Sequence, residues 1–178
     1  MLSVIILCEA VAAPAGAVVA PEAIVRTLAA LVAASVRGLV RDVVLAGPKQ
    51  ANLGLIADHA GCICVEAAGE ADYLRGALAL VRAEDLLVLR PGYVPETGFI
   101  DEIEDLLAEG AIRGGRRVYA APATYWQRLI PALLPVVGLI APVPACRAAG
   151  DSGALSLETL LRATRARAAL RARARRVG

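Results

Sequence analysis

Arg90 closes the apolar run DLLVLR (85–90) and is followed at once by the turn residues Pro91-Gly92. A guanidinium at the end of a buried strand offers a planar fork of N–H donors that fits a diphosphate through paired hydrogen bonds. Its competing partner is a carboxylate, either Glu9 or the acids at 101 to 105. Glu9 stands in the equivalent place after another apolar run, LSVIIL (2–7), where a carboxylate can accept from a ligand hydroxyl or base. Arg75 lies on the segment leading into the strand that Arg90 ends, and is a candidate phosphate contact against the plainer reading of a surface arginine.

Several common chemistries have no residues to perform them. No Gly-rich phosphate loop of either the P-loop or GxGxxG type follows the first apolar run, which disfavours a dinucleotide-binding domain. There is no GxSxG elbow, and His59 is the single histidine, so a His-dependent metal cluster is excluded. The four cysteines, Cys8, Cys62, Cys64 and Cys146, form no CxxC pair. Cys62 and Cys64 fall on one face of a predicted strand, a poor geometry for a disulfide. Four buried free thiols in a reducing cytoplasm is the expectation.

The elements that must carry these residues follow from hydrophobic patterning. Strands are predicted at 2–7, 41–46, 62–67 and 85–90, and helices at 21–37, 51–60, 70–82 and 96–109. The strands are continuous apolar runs, the pattern of a sheet covered on both faces. Four strand–helix alternations with short loops describe an α/β fold, a mostly parallel sheet with helices on both faces. Ligands in such sheets bind past the carboxyl ends of the strands, here Cys8-Glu9, Ala46-Gly47-Pro48, Ala67-Ala68-Gly69 and Arg90-Pro91-Gly92. Beyond Gly110 a strand is expected at 116–122 as an antiparallel edge, then a helix TYWQRLIPALL, an extended PVVGLIAPV, and a basic C-terminal helix over 156–176. The domain reading is 1–155 for the α/β body and 156–178 for the Arg-rich C-terminal helix or tail.

Composition bounds the rest. Hydrophobic residues make up 58% and aromatics 3%, so the core is aliphatic. Eighteen of 19 basic residues are Arg, with Lys49 the exception, a bias that fits a GC-rich coding sequence. Residues 162–178 carry seven Arg and no acid, leaving the body at −5 and the tail at +7. Such a tail suits anionic lipid at a membrane surface, or is a solvated helix; with no aromatics in it for base stacking, no specific nucleic acid is expected. The start of the chain lacks a basic n-region, and Glu9 interrupts its apolar run, so it reads as a buried strand rather than a signal peptide. The run 129–144 is 16 residues with four Pro, too short and broken to span a bilayer. The expected location is cytoplasmic, with peripheral contact at the inner membrane face.

The order of pieces resembles the family 2 glycosyltransferases of GT-A fold. MLSVIIL, VRGLVRDVVLAGP, IADHAGC and LRGALALVRAEDLLVLRPG follow their succession of strands and turns, and GLIAPVPACRAAGD with LETLLRATRARAALRAR resembles their closing segments. The resemblance implies a nucleotide-sugar donor and an acceptor whose identity it does not give. It also exposes departures. Family members end the second strand on an Asp that holds uracil or ribose; here stand Ala46-Gly47-Pro48. Their DxD acids hold a divalent ion; here stand Arg90-Pro91-Gly92, so the expectation is no cofactor and a metal-independent site in which Arg90 and Arg75 replace the ion. Their ED pair before the last helix is matched only by Glu158, next to Thr159, which with Glu9 and Asp151 supplies the candidates for a general base. The resemblance implies Glu158 as catalytic residue, and with the strand-end reading above it leaves Glu9, Gly47, Arg75 and Arg90 as the expected nucleotide or diphosphate contacts. The rival reading is a catalytically inactive binding or scaffold protein of the same fold.

Overall fold

The computed structural model describes residues 1–9, 19–49, 52–96, 98–110, 112–130, 133–150 and 155–177. Strand β1 (Leu2–Leu7) is buried along its whole length. Alternate side chains serve opposite faces of the sheet: Leu2, Val4 and Ile6 join one apolar core, Ile5 and Leu7 the other. Ser3 is the polar exception. It is fully buried, and its hydroxyl accepts from the backbone N–H groups of Arg82 (3.1 Å) and Ala83 (3.0 Å), satisfying the turn into a neighbouring strand.

The chain continues through α1 (Pro21–Val36), β2 (Val40–Pro48), α2 (Leu53–Ala60), β3 (Ile63–Ala67), α3 (Glu70–Leu80) and β4 (Asp85–Leu89). All four strands are parallel, in the order β3-β2-β1-β4. Ile24, Leu31 and Ala34 of α1 pack in the first core; Tyr73, Leu74, Ala77 and Leu78 of α3 pack in the second. Helices therefore cover both faces, as the continuous apolar strands require.

The second half departs from expectation. It contains β5 (Tyr93–Pro95), α4 (Phe99–Ala108), β6 (Arg116–Tyr119), α5 (Tyr125–Leu129), β7 (Val136–Pro142), α6 (Val143–Gly150), α7 (Leu157–Ala163), β8 (Ala168–Ala169) and β9 (Ala174–Arg176). Among the described residues the main sheet has seven strands in the order β3-β2-β1-β4-β7-β6-β8, and β5 pairs with β9 apart from it. The segment expected as an antiparallel edge, 116–122, supplies β6, which lies inside the sheet and runs with the parallel set. The reversed strand is β7, inserted between β4 and β6. Gly138 permits that insertion, because a Cβ there would lie 2.5 Å from the Val88 carbonyl oxygen.

The basic C-terminal helix is also shorter than expected. It stops at Ala163, where the Thr164 hydroxyl donates back to the Leu160 carbonyl (2.7 Å) and Arg165 takes a left-handed φ of +50°. Ala166, Leu170 and Ala174 recur at helical spacing and are all buried, but on an extended chain that adds β8 beside β6 and β9 beside β5. The expected helix TYWQRLIPALL contracts to α5, since Ile130, preceding Pro131 in sequence, is driven out of helical geometry (φ −123°, ψ 87°). The cysteines are free, with Cys8 and Cys146 buried but Cys62 and Cys64 only half-buried, short of the expected four. Among the described residues no helix is long and apolar enough to cross a membrane.

Candidate functional site

β1 and β4 are parallel neighbours with Ile6 opposite Leu89, so the residues just beyond them emerge together at one edge of the sheet. Glu9 and Arg90 meet there: Arg90 Nη2 lies 3.4 Å from Glu9 Oε1, with the side chains 19% and 22% exposed respectively. The second carboxylate oxygen of Glu9 accepts from the Tyr73 hydroxyl at 2.8 Å. Tyr73 is buried on α3. Burial, the hydrogen bond to Glu9 and the nearby negative charge of Glu9 and Glu70 all push its phenol upward, so it is held as a donor.

Glu70, the first residue of α3, belongs to the same cluster. Its carboxylate accepts from the Leu157 backbone N–H at 3.2 Å, which brings the start of α7 to the site. Burial raises its carboxyl above the usual range, and Glu9 adds to the shift; the Leu157 N–H and Arg90 oppose it. Among the described residues the site therefore brings together the carboxyl groups of Glu9 and Glu70, the Tyr73 phenol and the Arg90 guanidinium. Arg90 Nε is buried and has no hydrogen-bond partner among the described residues. A buried donor without a partner is uncommon in folded proteins and calls for an acceptor.

The turn that aims Arg90 is held from three sides. Arg90 N–H donates to the Val137 carbonyl of β7 (2.9 Å). Gly92 N–H donates to the Ala23 carbonyl (3.2 Å) and to the Thr27 hydroxyl (3.0 Å), both on α1. The Gly92 carbonyl accepts from Val177 N–H (2.9 Å). Gly92 has a φ of +81°, where a side chain would be strained, so glycine is required at this point of the turn.

The sequence candidates fare differently. Glu9 and Arg90 are brought together, and one of the two carboxylate partners weighed for Arg90 is the one it takes; Asp101 and Glu104 pair with Arg37 instead. Arg75 is exposed on α3 and pairs with Asp72 at 3.3 Å. Glu158 sits one residue beyond the amide that holds Glu70, but its carboxylate is exposed and pairs with Arg162 along α7. At Gly47 the space a Cβ would take is filled by the Cys8 carbonyl (2.9 Å) and Leu53 Cδ1 (3.0 Å), so this glycine lets the end of β2 press on the residues after β1. Asp151 lies outside the described residues. Among the described residues no group of three His, Cys, Asp or Glu side chains is placed to hold a metal ion. Sequence reasoning missed Tyr73 and Glu70. The signal for Glu70 was its position immediately after Ala67-Ala68-Gly69, one of the strand ends where ligands bind.

No protein-family model matches the chain, and no curated protein matches it in sequence. Solved structures do. The 4-diphosphocytidyl-2C-methyl-D-erythritol synthase of Anaerococcus prevotii matches 98% of this chain and 88% of its own, at 10% identity and a TM-score of 0.57. The bifunctional IspDF of Campylobacter jejuni matches 90% of this chain and 46% of its own, at 12% identity and a TM-score of 0.57. Glucosyl-3-phosphoglycerate synthase of Mycobacterium tuberculosis, in complex with Mn²⁺, uridine diphosphate and glucosyl-3-phosphoglycerate, matches 81% of this chain and 57% of its own, at 13% identity and a TM-score of 0.51. The chain thus spans about half the length of the last two proteins. The fold is GT-A-like, that of nucleotide-diphospho-sugar transferases. At these identities the likeness is one of fold, and the chemistry must be argued from the site.

Proposed function

We propose that this chain is a glycosyltransferase of the family 2 type that takes a sugar from a nucleotide-sugar donor without a divalent metal. The observation that carries the reading is Arg90: a guanidinium at the carboxyl end of a central strand, mostly buried, which among the described residues has Nε unbonded and Nη2 on one carboxylate. A donor diphosphate would occupy Nε and displace Glu9 from Nη2, since phosphate oxygens suit the guanidinium fork. Glu9 would keep its bond to Tyr73 and turn its freed oxygen to a ligand hydroxyl or base. Arg75, released from Asp72, would add a second cation, and Gly47 would keep the floor of the nucleotide site close-packed. In the transfer step Glu158 would take the acceptor's proton as the acceptor oxygen bonds to the anomeric carbon. The bond from that carbon to the diphosphate breaks with its electron pair on the leaving oxygen, and Arg90 neutralises the charge. In this reading the protein works in the cytoplasm.

A second reading drops donor binding and transfer alike, giving a catalytically inactive binding or scaffold protein of GT-A-like fold that is indifferent to nucleotides. It is favoured by the closure of Glu158 and Arg75 onto exposed neighbours of their own helices rather than onto the cluster. Thermal melts with nucleoside diphosphates and sugar nucleotides, with and without Mn²⁺, separate the two. A ligand bound only by the folded state raises the melting temperature. Donor binding predicts a rise that needs no metal and disappears in Arg90→Gln. A rise that depends on Mn²⁺ overturns the metal-independent reading, and no rise with any sugar nucleotide leaves the inactive protein.

A further inference from the structure

The chain has six aromatic residues, and two of them stand side by side on the surface. Tyr125 is 69% and Trp126 66% exposed, their rings packed edge to face with centroids 6.1 Å apart. Leu129, Ile130 and Leu133 are exposed beside them in sequence. The helix carrying them, α5, has no buried residue. Local hydrogen bonds hold it instead: Thr124 Oγ1 accepts from Gln127 N–H (3.4 Å), and Gln127 Oε1 accepts from the N–H groups of Ala123 (2.9 Å) and Thr124 (3.3 Å). A chain this poor in aromatics has placed a Trp–Tyr pair where it contributes nothing to the core, and clustered exposed apolar groups mark a surface that meets something.

The charge around this patch says what. From Gly110 to Gly150 the chain contains five Arg and no Asp or Glu. Arg128 is exposed on α5 itself. The fold then adds the C-terminal arginines, because Ala121 N–H donates to the Ala174 carbonyl at 2.8 Å. Tyr125 is four residues from Ala121, so α5 begins within about 14 Å of the backbone that carries Arg175 and Arg176, while Arg173 shares a hollow with Asp101, Glu102 and Asp105 of α4. Arg175 and Arg176 are exposed, and Glu96 is the carboxylate that shares a hollow with Arg175. The patch lies at the same sheet edge as Arg90, since Val118 near the end of β6 pairs with Gly138, which pairs with Leu89.

We propose that this edge docks the protein on an anionic lipid bilayer, with Tyr125, Trp126, Leu129 and Ile130 in the interfacial layer and Arg128, Arg175 and Arg176 on the headgroups. Tyr and Trp favour the boundary between apolar and wet phases, and arginines beside them are drawn to anionic lipid. A five-residue helix with no buried residue offers no groove for a partner helix or strand, whereas a bilayer requires none. The inference uses none of the residues around Arg90 and stands apart from the transfer reading.

Trp126 is the single tryptophan, so its emission reports on this patch without a label. The full chain is mixed with vesicles of phosphatidylcholine alone or of phosphatidylcholine with phosphatidylglycerol, following Trp126 emission and co-sedimentation. Docking predicts a blue shift and co-sedimentation with the anionic vesicles only, reversed at about 1 M salt, where the Debye length is about 3 Å. The triple variant Trp126→Ser, Leu129→Ser, Ile130→Ser should lose co-sedimentation while melting at the wild-type temperature, because these side chains support no core. Arg128→Gln, Arg175→Gln, Arg176→Gln should weaken binding by about a hundredfold, from roughly fivefold per arginine. No blue shift with anionic vesicles overturns the proposal, as does an equal shift with neutral ones. A shift that grows with protein concentration and no lipid assigns the patch to a second copy of the chain and overturns it as well.

Discussion

Replacing Glu9 by Gln should lower stability and raise anion affinity at the same time. In the free protein the Glu9 charge lies 3.4 Å from Arg90 Nη2. At an effective dielectric of about 20, two unit charges at that separation attract by about 5 kcal/mol before any solvation cost. Both side chains are about one-fifth exposed, so desolvation and screening offset much of that attraction. The net loss in Glu9→Gln is expected to be about 1–2 kcal/mol, because the amide oxygen can still accept from Tyr73. For a domain of this size that corresponds to a fall of about 3–6 °C in melting temperature. The same substitution removes the competitor for the guanidinium, so inorganic pyrophosphate should bind roughly tenfold more tightly, the equivalent of about 1.4 kcal/mol. Melting scans without ligand and calorimetric titration with pyrophosphate measure the two quantities independently. The gain should be smaller for a nucleoside diphosphate, whose hydroxyl or base would lose the carboxylate as acceptor. If Glu9→Gln binds pyrophosphate no better than the wild type, Arg90 is not the receptor that Glu9 occupies, and the anion site argued from its unbonded Nε is wrong.

Two further outcomes follow from the same geometry. Gly138→Ala should cost about 3 kcal/mol, the upper end of overpacking in a core, since its methyl group would meet the Val88 carbonyl at 2.5 Å and Leu89 Cδ2 at 2.9 Å; denaturant melts check it, and a loss below about 1 kcal/mol would mean β7 is free to shift between its neighbours. Glu70→Gln should alter the pH dependence of stability. The folded carboxyl is held above its ordinary value of 4.5, by burial first and Glu9 second. The folded state therefore retains the proton longer than the unfolded one, and stability falls as pH rises from 4.5 through the raised folded value. The Gln variant lacks this fall, so its advantage over the wild type should grow across that window and vanish below it, as read by melts at several pH values.

The first half of the fold was legible because its strands are apolar without interruption. A run such as LSVIIL can be buried only if both faces are covered, and that forces helices above and below a parallel sheet. The same logic named the carboxyl ends of the strands as the candidate ligand edge, and the structure brings Glu9 and Arg90 together there because each follows such a run. The second half was not legible by the same means. RRVY and VVGLIAP both read as strands, and nothing local says which reverses; the answer depends on which one fits against β4, and Gly138 next to Val88 decides it. The helix expected over 156–176 forms only over Leu157–Ala163, because strand edges at β6 and β5 were available to bind the remainder extended.

The sequence by itself determined the layers, the parallel core and the pair of charged residues at its edge, because apolar continuity and turn chemistry act over a few residues. Only the tertiary structure decided how those charges are set. Tyr73 and Glu70 join the site only because the packing of α3 against the sheet carries the phenol to Glu9 and the approach of α7 brings an amide to Glu70. Hydrogen-bond partners 64 and 87 residues apart leave no local pattern in the sequence, since what joins them is the closing of the sheet edge around Arg90.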